Sequence, residues 1–264
     1  MIETNPVVTV ARDAAKEAGL FLKSHFGKIS EIFVKGDRTL ATDLDKAAEA
    51  MIVKRLTAAF PDYNILGEEA EYPQKNSDYL WIIDPLDGTH NFIRGINTYG
   101  VSIGLWKKDS FIAGVVYMPE ADEMYYAYEG QGAFKNGKRI TVAKTALLKD
   151  ASSSFDSSIR YDAPTMLPIL GEIAQKCFNV RMTGSSVRQL TYVAEGVLDF
   201  AVEFYDKPWD FAGSVCLITE AGGHVTSLDD DIAGPETTGY VASNNTLHAE
   251  VLGIVNRHRK PQVM

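Results

Sequence analysis

The stretch Tyr79-Leu-Trp-Ile-Ile-Asp-Pro-Leu-Asp-Gly-Thr-His-Asn-Phe92 constrains this chain more than any other. Leu80, Trp81, Ile82 and Ile83 form an unbroken apolar run, the pattern of a strand covered on both faces. Two carboxylates, Asp84 and Asp87, follow immediately, and Gly88-Thr89 comes next. Pro85 is expected to stop the strand, Gly88 to allow a tight turn, and Thr89 to cap a following helix whose free N–H groups suit an anion. Two acids beside an anion-binding helix end repel a phosphate unless cations lie between them, so the segment calls for a divalent metal.

Two further acids have similar settings. Gly67-Glu68-Glu69 follows the apolar pair Ile65-Leu66, and Trp209-Asp210 opens the apolar segment Phe211 to Ala221. Glu68, Asp84, Asp87 and Asp210 are hard oxygen donors that suit magnesium or manganese, whereas zinc would recruit His or Cys. The His residues form no HExxH pair, Cys177 and Cys216 are far apart, and no segment supplies a D-x-[DN]-x-[DN]-G calcium loop. Each acid also has a plainer explanation. A lone strand-end Asp usually caps a turn, Glu68 and Glu69 read individually as solvated loop acids, and Asp210 and Asp43 read as helix caps; it is the Asp84-x-x-Asp87-Gly-Thr pattern that favours a site.

The rest of the chain frames that site. A net charge of −9 with no Lys/Arg run argues against a nucleic-acid partner. Uncharged stretches such as Gly95 to Trp106 are far short of the ~20 apolar residues that cross a bilayer. Glu3 near the N-terminus does not suit a secretory signal, and two Cys in 264 residues fit reduced thiols in a cytoplasmic protein. Pro6 to Phe26 reads as an amphipathic helix ended by Gly27, Ile32 to Val34 as a strand, Lys35 to Arg38 as a polar turn, and Asp43 to Phe60 as a second helix capped by Thr42 or Asp43. Strand-like runs fill Tyr99 to Val142, with Asn136-Gly137 as a hairpin turn. Helical patterns at Pro164 to Cys177, Val187 to Glu195 and Phe211 to Ala221 alternate with strands near Val197 to Phe204 and Val225 to Ser227. Helices and strands mixed through one chain imply a layered α/β architecture.

Gly67-Glu68-Glu69, Trp81 to Thr89 and Pro208-Trp-Asp-Phe-Ala-Gly213, in this order, resemble the inositol monophosphatase family of magnesium-dependent, lithium-sensitive phosphatases. Ala41-Thr-Asp43, Gly184-Ser-Ser186, Glu203 and Glu220-Ala-Gly-Gly223 extend the resemblance over nearly the whole chain. It implies one catalytic unit over residues 1–264, an αβαβα sandwich of the inositol monophosphatase and fructose-1,6-bisphosphatase type, with lobes of about 1–145 and 146–264 and a homodimeric assembly. It also implies two or three Mg²⁺ ions, with Mn²⁺ as a substitute. Glu68, Asp84 and the Leu86 carbonyl hold one ion, and Asp84, Asp87 and Asp210 a second. Glu68, Thr89 and Asp43 are the implied catalytic residues, the first two orienting a cation-activated water for direct attack on phosphorus and Asp43 supporting them. Gly88 and Thr89 cradle the phosphate.

For the leaving group the resemblance implies Gly184, Ser185, Ser186, Glu203 and Asp210, and hence a sugar or polyol phosphate, inositol 1-phosphate first. Ser185 and Ser186 also read as caps of the next helix, and Glu203 as a surface acid. Arg188 departs from the apolar residue expected there; it reads as a reader of a second phosphate or as a salt-bridge partner. Fructose 1,6-bisphosphate, histidinol phosphate, 3′-phosphoadenosine 5′-phosphate and NADP therefore stay open as substrates. Lys35 is read as a loop cation and His90 as a helix-surface residue. A regulatory protein without catalysis on the same fold is the alternative of another class.

Overall fold

The computed structural model describes residues 2–28, 33–34, 40–41 and 43–259. In its first half lie α1 (Pro6–His25), the two-residue strands β1 (Phe33–Val34) and β2 (Leu40–Ala41), α2 (Asp43–Ala59), β3 (Asn64–Gly67), β4 (Tyr79–Asp87) and the short α3 (Thr89–Ile93). The strands β5 (Gly100–Lys107), β6 (Ser110–Met118), β7 (Glu123–Tyr128), β8 (Gly132–Lys135) and β9 (Lys138–Arg139) follow. The second half contains β10 (Ser152–Phe155), α4 (Ala163–Lys176), β11 (Asn179–Arg181), α5 (Ser186–Ala194), β12 (Phe200–Glu203), α6 (Pro208–Glu220), β13 (Gly223–Thr226), β14 (Tyr240–Asn244) and α7 (His248–His258). The expected polar turn at Lys35 to Arg38 falls outside the described residues.

Strands β3 to β9 form a seven-stranded sheet in sequence order, antiparallel except for the parallel β3–β4 pair, and a five-stranded sheet has the order β11-β10-β12-β14-β13. Three buried cores show how they stack. Val8, Ala11 and Leu22 of α1 and Ile52 and Leu56 of α2 pack on Trp81, Ile83, Val101 and Ile103. The opposite face of that sheet, with Ile82 and Val116, meets Val187 and Leu190 of α5 and Phe211 and Leu217 of α6, which also touch Ala201 and Ala242 of the second sheet. Phe200, Val202 and Val241 turn the other way, onto Met166 and Ile169 of α4 and Val251 and Val255 of α7. Helices, sheet, helices, sheet and helices give the expected αβαβα sandwich. Period-two alternation sends Ile82 and Ile83 to different cores, which is why Leu80 to Ile83 must be apolar throughout.

Several local expectations hold for identifiable reasons. Pro6 opens α1, where its missing N–H is harmless, and the Asn5 side chain caps the helix by accepting from Val7 N at 3.0 Å. Asn136 and Gly137 both have positive φ, 47° and 80°, and link the paired residues Lys135 and Lys138 in a two-residue hairpin. Others need correction. Pro85 does not stop β4, which runs to Asp87 through a register shift between Asp84 and Asp87 opposite Ser102 and Gly100. The parallel partner β3 ends opposite Ile83, so Pro85 sits in a bulge where its absent N–H breaks no ladder bond. Strands β10, β11 and β14 and helix α7 were not expected; β10 reads Ser-Ser-Ser-Phe, a buried strand without an apolar run, whereas Val251, Leu252, Ile254 and Val255 of α7 do stand at helical spacing.

Close packing of α6 on the first sheet sets its height. A Cβ at Gly104 would lie 2.5 Å from the Ala212 carbonyl, and one at Gly114 would lie 2.3 Å from Gly213 O, so helix and sheet backbones nearly touch. Ser102 Oγ enters the first turn of α6, donating to Trp209 O at 3.1 Å and accepting from Gly213 N at 3.1 Å. The Gly104→Ala variant is therefore expected to lose about 1–3 kcal/mol through overpacking, lowering the melting temperature by roughly 2–4 °C per kcal/mol. Gly171 in α4 has nothing within 4 Å of its would-be Cβ. Gly171→Ala should raise the melting temperature slightly, by about 0.5–1 kcal/mol of helix propensity. Paired thermal scans of the two variants check the contrast.

Candidate metal and active site

Three carboxylates converge from two elements. Asp84 and Asp87 stand on either side of the β4 bulge, which aims both into one space, and Asp210 is the third residue of α6. One oxygen from each lies within 4.8 Å of the others. Asp84 is 1% exposed and Asp87 5%. Glu68 follows β3 at the point where its strand leaves Ile83, and its N–H still donates to Ile83 O at 3.2 Å. Its charge is close enough to act on both Asp84 and Asp210.

Each acid of the triad is held by the backbone or by a hydroxyl. Asp84 Oδ1 accepts from Leu86 N at 2.9 Å across the bulge. Asp87 accepts from Ser186 N at 3.0 Å and from the Ser185 hydroxyl. Asp210 Oδ2 accepts from Lys207 N at 2.6 Å, so it reaches back to the helix entrance rather than being the N-cap itself, which is Lys207. Among the described residues no Lys or Arg forms a salt bridge with Asp84, Asp87 or Asp210. Burial and then repulsion from Glu68, Asp87 and Asp210 push the Asp84 carboxyl well up. Burial raises Asp87 to about 6 against the pull of its Ser185 and Ser186 bonds, and burial, Asp206 and Glu68 push Asp210 well up. An all-oxygen acidic cluster without cationic partners fits Mg²⁺ or Mn²⁺.

The turn after β4 has a different construction from the one expected. Gly88, at φ 81°, precedes α3, and a Cβ there would lie 2.9 Å from Thr98 O. Thr89 does not cap α3, a helix of five residues; its hydroxyl lies 3.0 Å from Leu86 O and 3.4 Å from Asp45 Oδ1. Asp43, expected to support the site, is exposed at the first turn of α2. The structure gives that place to Asp45, which is 1% exposed. Both belong to Thr-Asp-Leu-Asp, and only the helical phase, with Asp45 on the face turned toward β4, separates them. His90 is exposed, as expected, and Lys35 lies outside the described residues.

On the side of the triad formed by α5 and β12, Ser185 is the N-cap of α5, accepting from Arg188 N at 3.3 Å while its hydroxyl serves Asp87. Asn91, unnoticed in the sequence, donates to Thr98 O, Thr183 O and Gly184 O and so pins the Gly184 loop beside the β4 turn. Glu203 is not a surface acid. It is 7% exposed, accepts from Gln189 Nε2 at 2.5 Å, and is pushed well up by burial and by Asp206 and Asp156. Asp206 was also missed; burial and Asp156 raise it to about 8, and its buried Oδ2 has no hydrogen-bond partner among the described residues. Three acids in the eight residues 203–210 were the available signal. Arg188 is 8% exposed, salt-bridged to Glu123 at 2.9 Å and stacked 4.7 Å over Tyr192, so it belongs to the packing of α5 and does not read a second phosphate. A cleft of about 490 Å³ opens beside Gly67, Glu68, Tyr72 and Trp209.

Residues 3–260 match the inositol monophosphatase family. The chain is 35% identical over 258 residues to the fructose-1,6-bisphosphatase/inositol-1-monophosphatase of Aquifex aeolicus, covering 96% of this chain and 97% of that one. It is 36% identical over 245 residues to the Nus factor SuhB of Escherichia coli, covering 91% and 92%. The crystal structure of the extragenic suppressor protein suhB from Bartonella henselae superposes with a TM-score of 0.90 at 30% identity, covering 95% and 98%.

The raised carboxyls give a pH-dependent prediction. A carboxyl raised in the folded state favours folding fully only while it is protonated, so its contribution is lost as pH rises from about 4, the unfolded value, through the folded one, about 6 for Asp87. In EDTA the melting temperature should therefore fall as pH rises across that range. Mg²⁺ should raise it more at pH 8 than at pH 5, and Asp84→Asn should remove most of that gain. Calorimetric scans at the two pH values, with and without Mg²⁺, measure all three.

Proposed function

This chain belongs to the inositol monophosphatase family, and from that premise we propose that it is a Mg²⁺-dependent phosphomonoesterase acting on a small sugar or polyol phosphate, inositol 1-phosphate first. The observation that carries the reading is the buried group of Asp84, Asp87 and Asp210, whose oxygens lie within 4.8 Å of one another, with no salt bridge to a Lys or Arg among the described residues. Glu68, Asp84 and the Leu86 carbonyl are the residues to hold one ion, and Asp84, Asp87 and Asp210 a second. Bound Mg²⁺ neutralises the phosphoryl oxygens and makes a water more acidic, which suits a reaction whose barrier is mostly charge and positioning.

The chain's own groups do the rest. Glu68 accepts from the attacking water and orients it. The Thr89 hydroxyl, donating to Asp45 or to the Leu86 carbonyl, keeps an oxygen lone pair for the same water. The Gly88 and Thr89 N–H groups face the phosphate oxygens, and the ester oxygen leaves in line, toward Gly184, Ser186, Glu203 and Asp210. Because the Ser185 hydroxyl is engaged by Asp87, Ser185 contributes through its backbone. Gln189 donates to Glu203 Oε1 and the Asp156 carboxyl also hydrogen-bonds Glu203, so a leaving-group hydroxyl would share this carboxyl with both. Inhibition by lithium, a cytoplasmic location and a homodimer belong to the same proposal; among the described residues no helix is long and apolar enough to cross a membrane.

The relative named as a fructose-1,6-bisphosphatase as well as an inositol monophosphatase keeps bisphosphates in the panel, alongside histidinol phosphate, 3′-phosphoadenosine 5′-phosphate and NADP. Relatives named Nus factor SuhB favour a second reading, a regulatory protein on the same fold. Retention of all four acids supports the enzyme, since a scaffold has no use for buried charges that repel one another. Phosphate release from this panel in Mg²⁺, lost in EDTA, is the expected result; no release from any ester would leave the regulatory reading. Asp84→Asn should lower kcat by at least about 10²–10³-fold at saturating Mg²⁺, the range seen when one transition-state electrostatic partner is removed. Glu203→Gln should depress kcat/KM for inositol 1-phosphate more than for p-nitrophenyl phosphate, which has no leaving-group hydroxyls. Equal losses on both esters would remove Glu203 from substrate recognition.

A further inference from the structure

Helix α2 carries two acids, Asp45 and Glu49, one turn apart on the same face. Each is 1% exposed, an uncommon setting for helix carboxylates. Asp45 reaches Thr89. Glu49 reaches the segment that follows β3: its Oε2 accepts from Glu69 N at 2.9 Å and its Oε1 from the Tyr72 hydroxyl at 2.8 Å. Gly67 leaves room for this carboxylate, since a Cβ there would lie 2.6 Å from Glu49 Oε1. Burial pushes the Glu49 carboxyl up, and the bonds from Glu69 N and the Tyr72 hydroxyl pull it back.

Glu68 thus has Glu49 on both flanks, in contact with Gly67 before it and bonded to the N–H of Glu69 after it. We propose that Glu49 is a positioning residue for Glu68, holding the segment from Gly67 to Tyr72, and with it the Glu68 carboxylate, in place beside the triad. This rests on the reading of Glu68 as a metal ligand. The physical reason is that Glu68 stands just past the end of β3, where the parallel ladder stops after Gly67 opposite Ile83. Segments outside a ladder open at lower free energy than strands do, and a displacement of about 1 Å at a reacting group costs up to ~10²-fold in rate. A carboxylate is suited to the task because its two oxygens accept from two donors at once, joining the backbone at Glu69 to the side chain of Tyr72. With Asp45 on Thr89, one helix face then sets both residues assigned to the attacking water.

The test compares Glu49→Ala, Glu49→Gln and Tyr72→Phe in the full chain. The readouts are direct Mn²⁺ binding by titration calorimetry, the Mg²⁺ dependence of phosphate release, and amide hydrogen exchange at Glu69. Glu49→Ala should weaken Mn²⁺ binding and lower kcat by about 10–100-fold, the usual effect of losing a partner that orients a ligand, with the KM for the ester little changed and Glu69 exchange accelerated. Glu49→Gln should recover most of this, because its amide oxygen accepts from Glu69 N and its NH₂ donates to the Tyr72 oxygen. A folded Glu49→Ala protein with wild-type Mn²⁺ affinity and kcat overturns the proposal, as does a folded Glu49→Gln protein no better than Glu49→Ala. If Glu49→Ala does not fold, Tyr72→Phe carries the comparison: weakened Mn²⁺ binding supports the proposal and unchanged binding and kcat overturn it. Should the wild-type protein bind Mn²⁺ but release no phosphate, the phosphatase reading fails while the Mn²⁺ affinities still decide the role of Glu49.

Discussion

Mutual repulsion among Asp84, Asp87 and Asp210 is the constraint around which the molecule is organised. Like charges taken out of water a few ångströms apart oppose folding, and a buried carboxylate without a cation beside it does so strongly. The fold offsets this with directed backbone donors: Leu86 N for Asp84, Ser186 N for Asp87 and Lys207 N for Asp210. Each donor comes from a place where the backbone is otherwise unpaired, namely a bulge, the first turn of α5 and the entrance of α6. Those N–H groups are free because regular ladders stop there. The ends of the secondary structure are therefore what make the acid cluster tolerable.

Holding these ends together requires the two halves of the chain to meet closely. Asp84 and Asp87 come from the first sheet and Asp210 from a helix belonging to the second half of the sequence. The glycine contacts at Gly104, Gly114 and Gly213, with Ser102 Oγ between Trp209 O and Gly213 N, bring α6 down onto the sheet. A larger residue at these points would lift Asp210 away from its partners. The same layer places α5, whose first turn serves Asp87, so one packing interface supplies both the third carboxylate and the donors to the second.

Around the triad lies a further layer of charge on both sides. Asp45 and Glu49 of α2 face Thr89 and the Glu68 segment, while Asp156, Glu203 and Asp206 gather at the end of β12, with Gln189 between Glu203 and Tyr240. A site this rich in carboxylates attracts cations before it attracts a phosphate, which is the order of events a metal-dependent phosphatase needs. Arg188, the basic residue nearest in sequence to Ser185 and Ser186, is neutralised by Glu123 and adds no counter-charge to the triad.

What was legible in the sequence follows from local physics. The apolar run Leu80 to Ile83 announced a strand covered on both faces, Asn136-Gly137 announced a hairpin, and Glu68, Asp84, Asp87 and Asp210 stood beside strand ends or a helix start, where a regular ladder stops. Alternating helices and strands implied layers, and the family resemblance supplied their order. What needed tertiary structure was anything decided by phase or by a distant partner. Asp45 and Asp43 are two positions apart, and only the rotation of α2 against β4 buries one and exposes the other. Pro85 looked like a stop because the missing partner strand beside it is a property of the sheet. Ser152 to Phe155 and Tyr240 to Asn244 are strands because neighbours satisfy their backbones, not because their own residues alternate. That Glu203, Asp206 and Arg188 are buried was not legible, since the burial of a polar side chain depends on which elements close over it, and that is settled only when the chain has packed.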